Sequence, residues 1–306
     1  MYNREMNKKE HTPWLSVVML APVTQTASGC SWVAAAVVAL LCLSISFGME
    51  KIGAPENTGR WLGAIQWLWM LLVISEFMHW AKWCWPADGT ESAVSLVLLA
   101  LAAYTAAKGM KTASRAGTAM SAILLLLFGA VLLSGIKEVK LENLMPQWEM
   151  QTANLITAML IPVMGACYGP WENKKRVFFY SVFASVVCTG VLSLQYLRKV
   201  NAPFYELGRS ITLLGVGQRF ESLVAAGMTL GYYALLTYLI GITAKAWEPG
   251  GRRARSIWIS ALFTAAVFIS GMRMNSRLLA IGNLVIWVIL PLLKIIAKKM
   301  KKTIDK

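Results

Sequence analysis

Apolar blocks of about 16–25 residues follow one another along this chain, separated by short clusters of charge. A bilayer hydrocarbon core about 30 Å thick is crossed by about 20 apolar residues in a helix. Within lipid, each segment must satisfy its own backbone polar groups, so such blocks are expected to be helices. A membrane β-barrel would instead show alternating segments of about ten residues, and the sequence contains none. Charged residues make up only 15% of the chain, against about a quarter in soluble domains. The expected class is an all-α integral membrane protein, a single multi-pass domain over residues 1–306.

Nine full spans are expected: Ser31–Met49, Trp61–Trp80, Ser92–Ala107, Thr118–Gly135, Thr152–Gly169, Val177–Leu197, Ser222–Trp247, Ile257–Met272 and Leu278–Ile296. Before them, Trp14–Ser28 begins apolar and turns polar at Pro22-Val-Thr-Gln-Thr26. Loop charge sets the orientation, because Lys and Arg concentrate on the cytoplasmic side. Loops on the side of the C-terminus hold eighteen basic residues and the opposite loops hold nine. The C-terminus is therefore expected in the cytoplasm. Nine spans would then start the chain outside, yet Arg4, Lys8 and Lys9 precede the first apolar stretch. The conflict disappears if Trp14–Ser28 crosses as a tenth, shortened and broken segment. Broken helices persist in membranes where they line a cavity or pack against protein.

The net charge of +15 lies in these loops and in the tail around Lys298, Lys299, Lys301 and Lys302. That placement points to anionic membrane lipids, not to nucleic acid. The five cysteines sit mostly inside apolar blocks and show no disulfide or metal spacing. No cleavable signal is expected at the N-terminus. With two histidines, the Glu76-x-x-His79 pair lacks the further ligands of a carboxylate-bridged metal site. No metal or cofactor is expected. No nucleotide fingerprint or nucleophile elbow is present, so an enzyme is not expected.

The polar features lie inside the spans. Glu76 is an acid within an apolar helix, which is by default a functional position. It stands one turn from His79, within reach of a hydrogen bond. Pro162 and the stretch Gly165-Ala-Cys-Tyr-Gly-Pro170 should break the Thr152–Gly169 helix in its second half. Counting the first fragment as span one, this is span six. Paired discontinuous helices at corresponding places of two repeats mark substrate sites in transporters. Gly227-x-x-x-Gly231 is a close-packing motif. The candidate ligand residues are Pro22, Thr24 and Gln25; Trp69 and Glu76; Gly165, Ala166 and Tyr168; and Tyr233 and Thr237.

One stretch resembles a known family. Pro203-Phe-Tyr-Glu-Leu-Gly-Arg-Ser-Ile211 is followed by Gly217-Gln-Arg-Phe-Glu-Ser-Leu223. This is similar to the GerAB-type spore germination permeases, the B subunits of germinant receptors. Pro203, Tyr205, Glu206, Arg209, Arg219 and Glu221 stand at the positions of the family pattern. Leu20-Ala-Pro22, Ala27, Trp32, Gly109 and Arg115 agree with it more loosely, and the similarity runs from about residue 18 onward. The resemblance implies a LeuT-like fold of ten helices in a five-plus-five inverted repeat, here with a shortened first helix. It implies a small-nutrient pocket, commonly for an amino acid, lined by helices one, three, six and eight. It also implies an A subunit and a lipoprotein C subunit as partners in the inner spore membrane. A family first helix would carry about ten more residues before Pro22, and the family's acidic residue near helix six is replaced by Ala166, Cys167 and Tyr168. Both differences favour a ligand sensor. Two other readings stay open: a proton-coupled amino acid transporter acting through Glu76, and a non-binding scaffold paralogue.

Overall fold

The computed structural model describes residues 18–52, 59–85, 89–145, 152–166, 174–197, 199–200, 202–210, 220–247 and 253–304. Helices dominate, and the described residues contain no strand. The first helix, α1, is seen over residues 18–28. Then follow α2 (Trp32–Ile52), α3 (Gly59–Lys82), α4 (Glu91–Lys108) and α5 (Met110–Gly135). Next come α6 (Ala153–Met159), α7 (Ile161–Ala166), α8 (Lys174–Leu192), α9 (Leu194–Leu197) and α10 (Pro203–Ser210). The last four are α11 (Phe220–Trp247), α12 (Arg253–Ile269), α13 (Ser276–Leu284) and α14 (Leu290–Ile304). Six helical stretches among the described residues are long and apolar enough to cross a membrane. Three more, Ala153–Met164, Phe178–Leu192 and Ala254–Ile269, are apolar but shorter than a full crossing.

The described parts of the nine expected spans fall largely on helix, and three of the spans are interrupted. Thr152–Gly169 stops at Leu160 between α6 and α7. Pro162 has no N–H for the carbonyl of Ala158, and its ring crowds that carbonyl. The break therefore comes before the proline, and Gly165 and Ala166 lie in α7 rather than in the expected unwound stretch. Val177–Leu197 stops at Ser193, a non-glycine residue at φ 60°, before the short α9. The last span holds a π turn, Val285–Ile289, between α13 and α14. Pro291 follows it, so an inserted residue accommodates a proline within an otherwise continuous helix. The long connection before span eight is not a plain loop. Within it α10 buries Phe204 and Leu207 and leaves Arg209 exposed.

Two sets of helices emerge from the packing. In one, α3, α4, α11 and α12 lie against one another. In the other, α2 packs on α8 and on α6 and α7. Helix α5 flanks α11 and α4, and α13 lies on α6. Gly109, at φ 112°, makes the turn from α4 to α5, a conformation that residues with a side chain seldom adopt. Between the two sets runs α1. Its Val18, Met19, Ala21, Val23, Thr24, Ala27 and Ser28 are all fully buried. A helix buried on all sides, with its polar side chains bonded to neighbours, is a core helix. Helix α11 comes close enough to touch it because Gly231 faces Ala21, where an added Cβ would lie 2.5 Å from the alanine methyl. Gly227 faces Leu127 and Phe128 of α5 instead. The small-residue motif thus serves two neighbours, one glycine each.

Candidate ligand site

The polar side chains of α1 form the centre of the candidate site. Gln25 is buried and reaches two helices. Its Nε2 donates to the Trp80 carbonyl at 3.2 Å. That carbonyl is among the last four of α3, which have no donor within their own helix. The Trp83 N–H in the following turn also donates to it, at 3.2 Å, so Gln25 adds a second donor at the end of α3. On its other side Gln25 Oε1 accepts from the Tyr232 hydroxyl of α11 and, at 3.7 Å, from the Cys84 thiol. Thr24 turns the other way. Its hydroxyl bonds the Leu20 carbonyl at 2.5 Å and lies 2.6 Å from the Tyr180 hydroxyl of α8. The end of α1 is held by α8 as well, since Ser185 and Thr189 both donate to the Cys30 carbonyl. Pro22, also expected in the site, is buried in α1, and its carbonyl accepts from Thr26 at 2.7 Å.

Glu76 joins this network through Trp80. Its Oε1 accepts from Trp80 Nε1 at 3.2 Å and from Arg273 Nη2 at 3.4 Å. Arg273 belongs to the non-helical link between α12 and α13 and also lies over the Trp83 ring, 5.3 Å from its centroid. The expected Glu76–His79 hydrogen bond is not formed. Trp80, at the i+4 position, and the charged Arg273 take the carboxylate, and His79 stacks on Phe268 at 4.7 Å. A charged donor makes the stronger partner for a carboxylate. A continuous series therefore runs from half-exposed Arg273 through Glu76, Trp80 and Gln25 to buried Tyr232.

The other expected residues point elsewhere. Trp69 Nε1 donates to Asn283 Oδ1 of α13 at 2.8 Å. Tyr233 lies 2.6 Å from Thr105 of α4, and Thr237 bonds back to the Tyr233 carbonyl at 2.8 Å. Tyr168 lies outside the described residues. The sequence offers Tyr232 only in company with Tyr233, Thr237 and Tyr238, as residues after the Gly227–Gly231 motif that could face a polar cavity, and it misses Asn283. Asn283 carries a usable signal, as a carboxamide inside an apolar span. A small, mostly apolar cavity lies at the α6–α7 break, between Cys42 and Ser46 of α2, Met159, Pro162 and Phe178. Among the described residues no group of His, Cys, Asp and Glu is placed to hold a metal ion.

The described residues of the family-like stretch lie in α10, which packs against α11, α8 and α5, and at the start of α11. Pro203 approaches Gly29 at the end of α1, and Phe204 meets Phe128 edge to face at 5.2 Å. Arg209 and Glu221 pair at 3.8 Å. Glu206 accepts from Tyr196 at 3.4 Å. Burial, joined by the Glu221 carboxylate, raises the Tyr205 phenol above its ordinary pKa, and Arg209 opposes the rise. Arg219 lies outside the described residues. The fold and site define a helical protein with the build of a multi-pass membrane protein and a buried polar network at its centre. No known protein family and no curated protein matches the sequence.

Proposed function

We propose that this chain is a permease-fold subunit of a spore germinant receptor, of the GerAB type. It binds a small nutrient, an amino acid by preference, beside its discontinuous helix and signals to an A subunit and a lipoprotein C subunit. The observation that carries the reading is which helices pair. With α1 as span one, α6 and α7 together are span six. The pairs α2 with α8, α3 with α11 and α4 with α12 then join spans two and seven, three and eight, four and nine, within a set where α4 also packs on α11 and α3 on α12. A five-plus-five repeat relates these same spans, and transporters of that build hold substrate at the broken helices of the two repeats. The break at Leu160, in span six, supports the same reading. On this reading the C-terminus faces the cytoplasm, and Arg273 and α10 lie on the opposite side. The network from Arg273 to Tyr232 ties that face to the core, a physical route for a ligand-dependent signal.

The test is binding of the twenty amino acids and of simple sugars to the whole chain in lipid nanodiscs, by isothermal titration. One nutrient is expected to bind with saturation, and to bind more tightly after co-purification with an A subunit. Absence of binding by every nutrient, alone and with the partner, removes the reading.

A further inference from the structure

A carboxamide in α13 is held in one orientation and left with unused donors. The Trp69 indole can only donate, so the Asn283 atom that faces it at 2.8 Å is the carbonyl oxygen. The Nδ2 group must then aim away from Trp69. Asn283 is fully buried, and its Nδ2 has no hydrogen-bond partner. A buried donor without an acceptor is costly, so such groups normally meet protein, water or ligand. The local build keeps the amide in place. Any side chain at position 282 would overlap the Trp69 ring, so glycine lets the indole lie directly on α13.

The same stretch also frees an acceptor. In the π turn, the Leu290 N–H donates to the Val285 carbonyl. The Ile286 carbonyl thereby loses its i+4 donor, and Pro291 offers none at i+5. Helix α13 lies on α6, and the π turn touches α3 and α7. The unused donor and the unused acceptor therefore belong to one stretch, three residues apart, that packs against α3, α6 and α7. An α-amino acid brings one group for each: a carboxylate that accepts and an ammonium that donates.

We infer that Asn283 Nδ2 binds the carboxylate of the ligand, with Trp69 acting as a positioning residue that holds the amide oxygen away from it. This rests on the nutrient-binding reading and names the chemistry of its site. The test uses the full chain in nanodiscs, each of the twenty amino acids, and the C-terminal amide of whichever binds. Asn283→Asp keeps an oxygen for Trp69 but replaces the NH₂ with a second acceptor that repels a carboxylate. It is expected to weaken the free acid at least about tenfold and the neutral carboxamide much less. Asn283→Ala, which removes a small group without adding charge, is expected to weaken both at least about tenfold. If the unaltered chain binds no amino acid, the nutrient-binding reading itself has failed and this inference falls with it. If the unaltered chain binds one, and either variant binds it equally well, the assignment of Asn283 alone is wrong.

Discussion

The Gln25 carboxamide meets three groups at once: the Trp80 carbonyl, the Tyr232 hydroxyl and the Cys84 thiol. Removing it strands the Tyr232 hydroxyl in a dry core, while the Trp80 carbonyl keeps the Trp83 N–H at 3.2 Å. Each buried group left unpaired costs about 1–3 kcal/mol, whereas a single bond lost at its donor costs about 1 kcal/mol. Gln25→Leu is therefore expected to destabilise by about 1–3 kcal/mol and Tyr232→Phe by about 1 kcal/mol, read from denaturant unfolding in mixed micelles. Equal losses would mean that the Tyr232 hydroxyl finds another partner when Gln25 is gone. Steric fit is as local. Gly231→Ala drives a methyl to 2.5 Å from Ala21, an overpacking worth about 1–3 kcal/mol. Gly48→Ala meets nothing within 4 Å and is expected to be neutral or slightly stabilising. The two variants share one chemistry, so the difference between their unfolding midpoints measures the α1–α11 contact.

At the scale of elements, the break between α6 and α7 follows from one missing N–H. Pro162→Ala restores a donor to the Ala158 carbonyl and is expected to make residues 153–166 one continuous helix. Hydrogen exchange across residues 155–166 should slow, the melting point should rise, and nutrient affinity should fall if ligand entry needs the hinge. Unchanged exchange would place the cause of the break elsewhere. This break was legible in the sequence to within five residues, because proline acts through its own backbone. The interruption at Ser193 was not, since no side chain there announces a positive φ. Helix α10 escaped because eight residues are too few to display a period, and its burial of Phe204 and Leu207 depends on neighbours far away in sequence. For the site, Gln25 and Glu76 were legible as polar groups in apolar spans. Their pairing with Tyr232 and Arg273 was not, because helix rotation and crossing decide which side chains meet. The Arg209–Glu221 pair illustrates the limit of reading function from a motif. Arg209 is 67% exposed, and exposed pairs contribute about 0–1 kcal/mol. Arg209→Ala is expected to leave unfolding nearly unchanged, and a loss of partner binding in co-purification would then report on an interface alone.

The whole molecule is turned outward in a way that water does not permit. Leu126 is 75% exposed and Leu262 and Ile269 are each 69% exposed. Leu41, Leu133 and Phe179 stand out beside them on α2, α5 and α8. Soluble monomers rarely show contiguous apolar patches beyond a few hundred Å², and here the exposed apolar residues are spread over most of the long helices. A surrounding hydrocarbon phase removes the difficulty and explains why so many buried polar groups are paired between helices, since lipid offers them nothing. Site-directed spin labels discriminate this arrangement without reference to any ligand. Labels at Leu126 and Leu262 are expected to relax with oxygen, which concentrates in the bilayer, and to ignore a water-soluble nickel chelate. Labels at Leu141 and Glu142, in the exposed link between α5 and α6, are expected to behave in the opposite way. Nickel access at both Leu126 and Leu262 would show that these faces meet water or a water-filled path. Protection from both reagents in a co-expressed complex, but not in the isolated chain, would locate a partner subunit on α5 or α12.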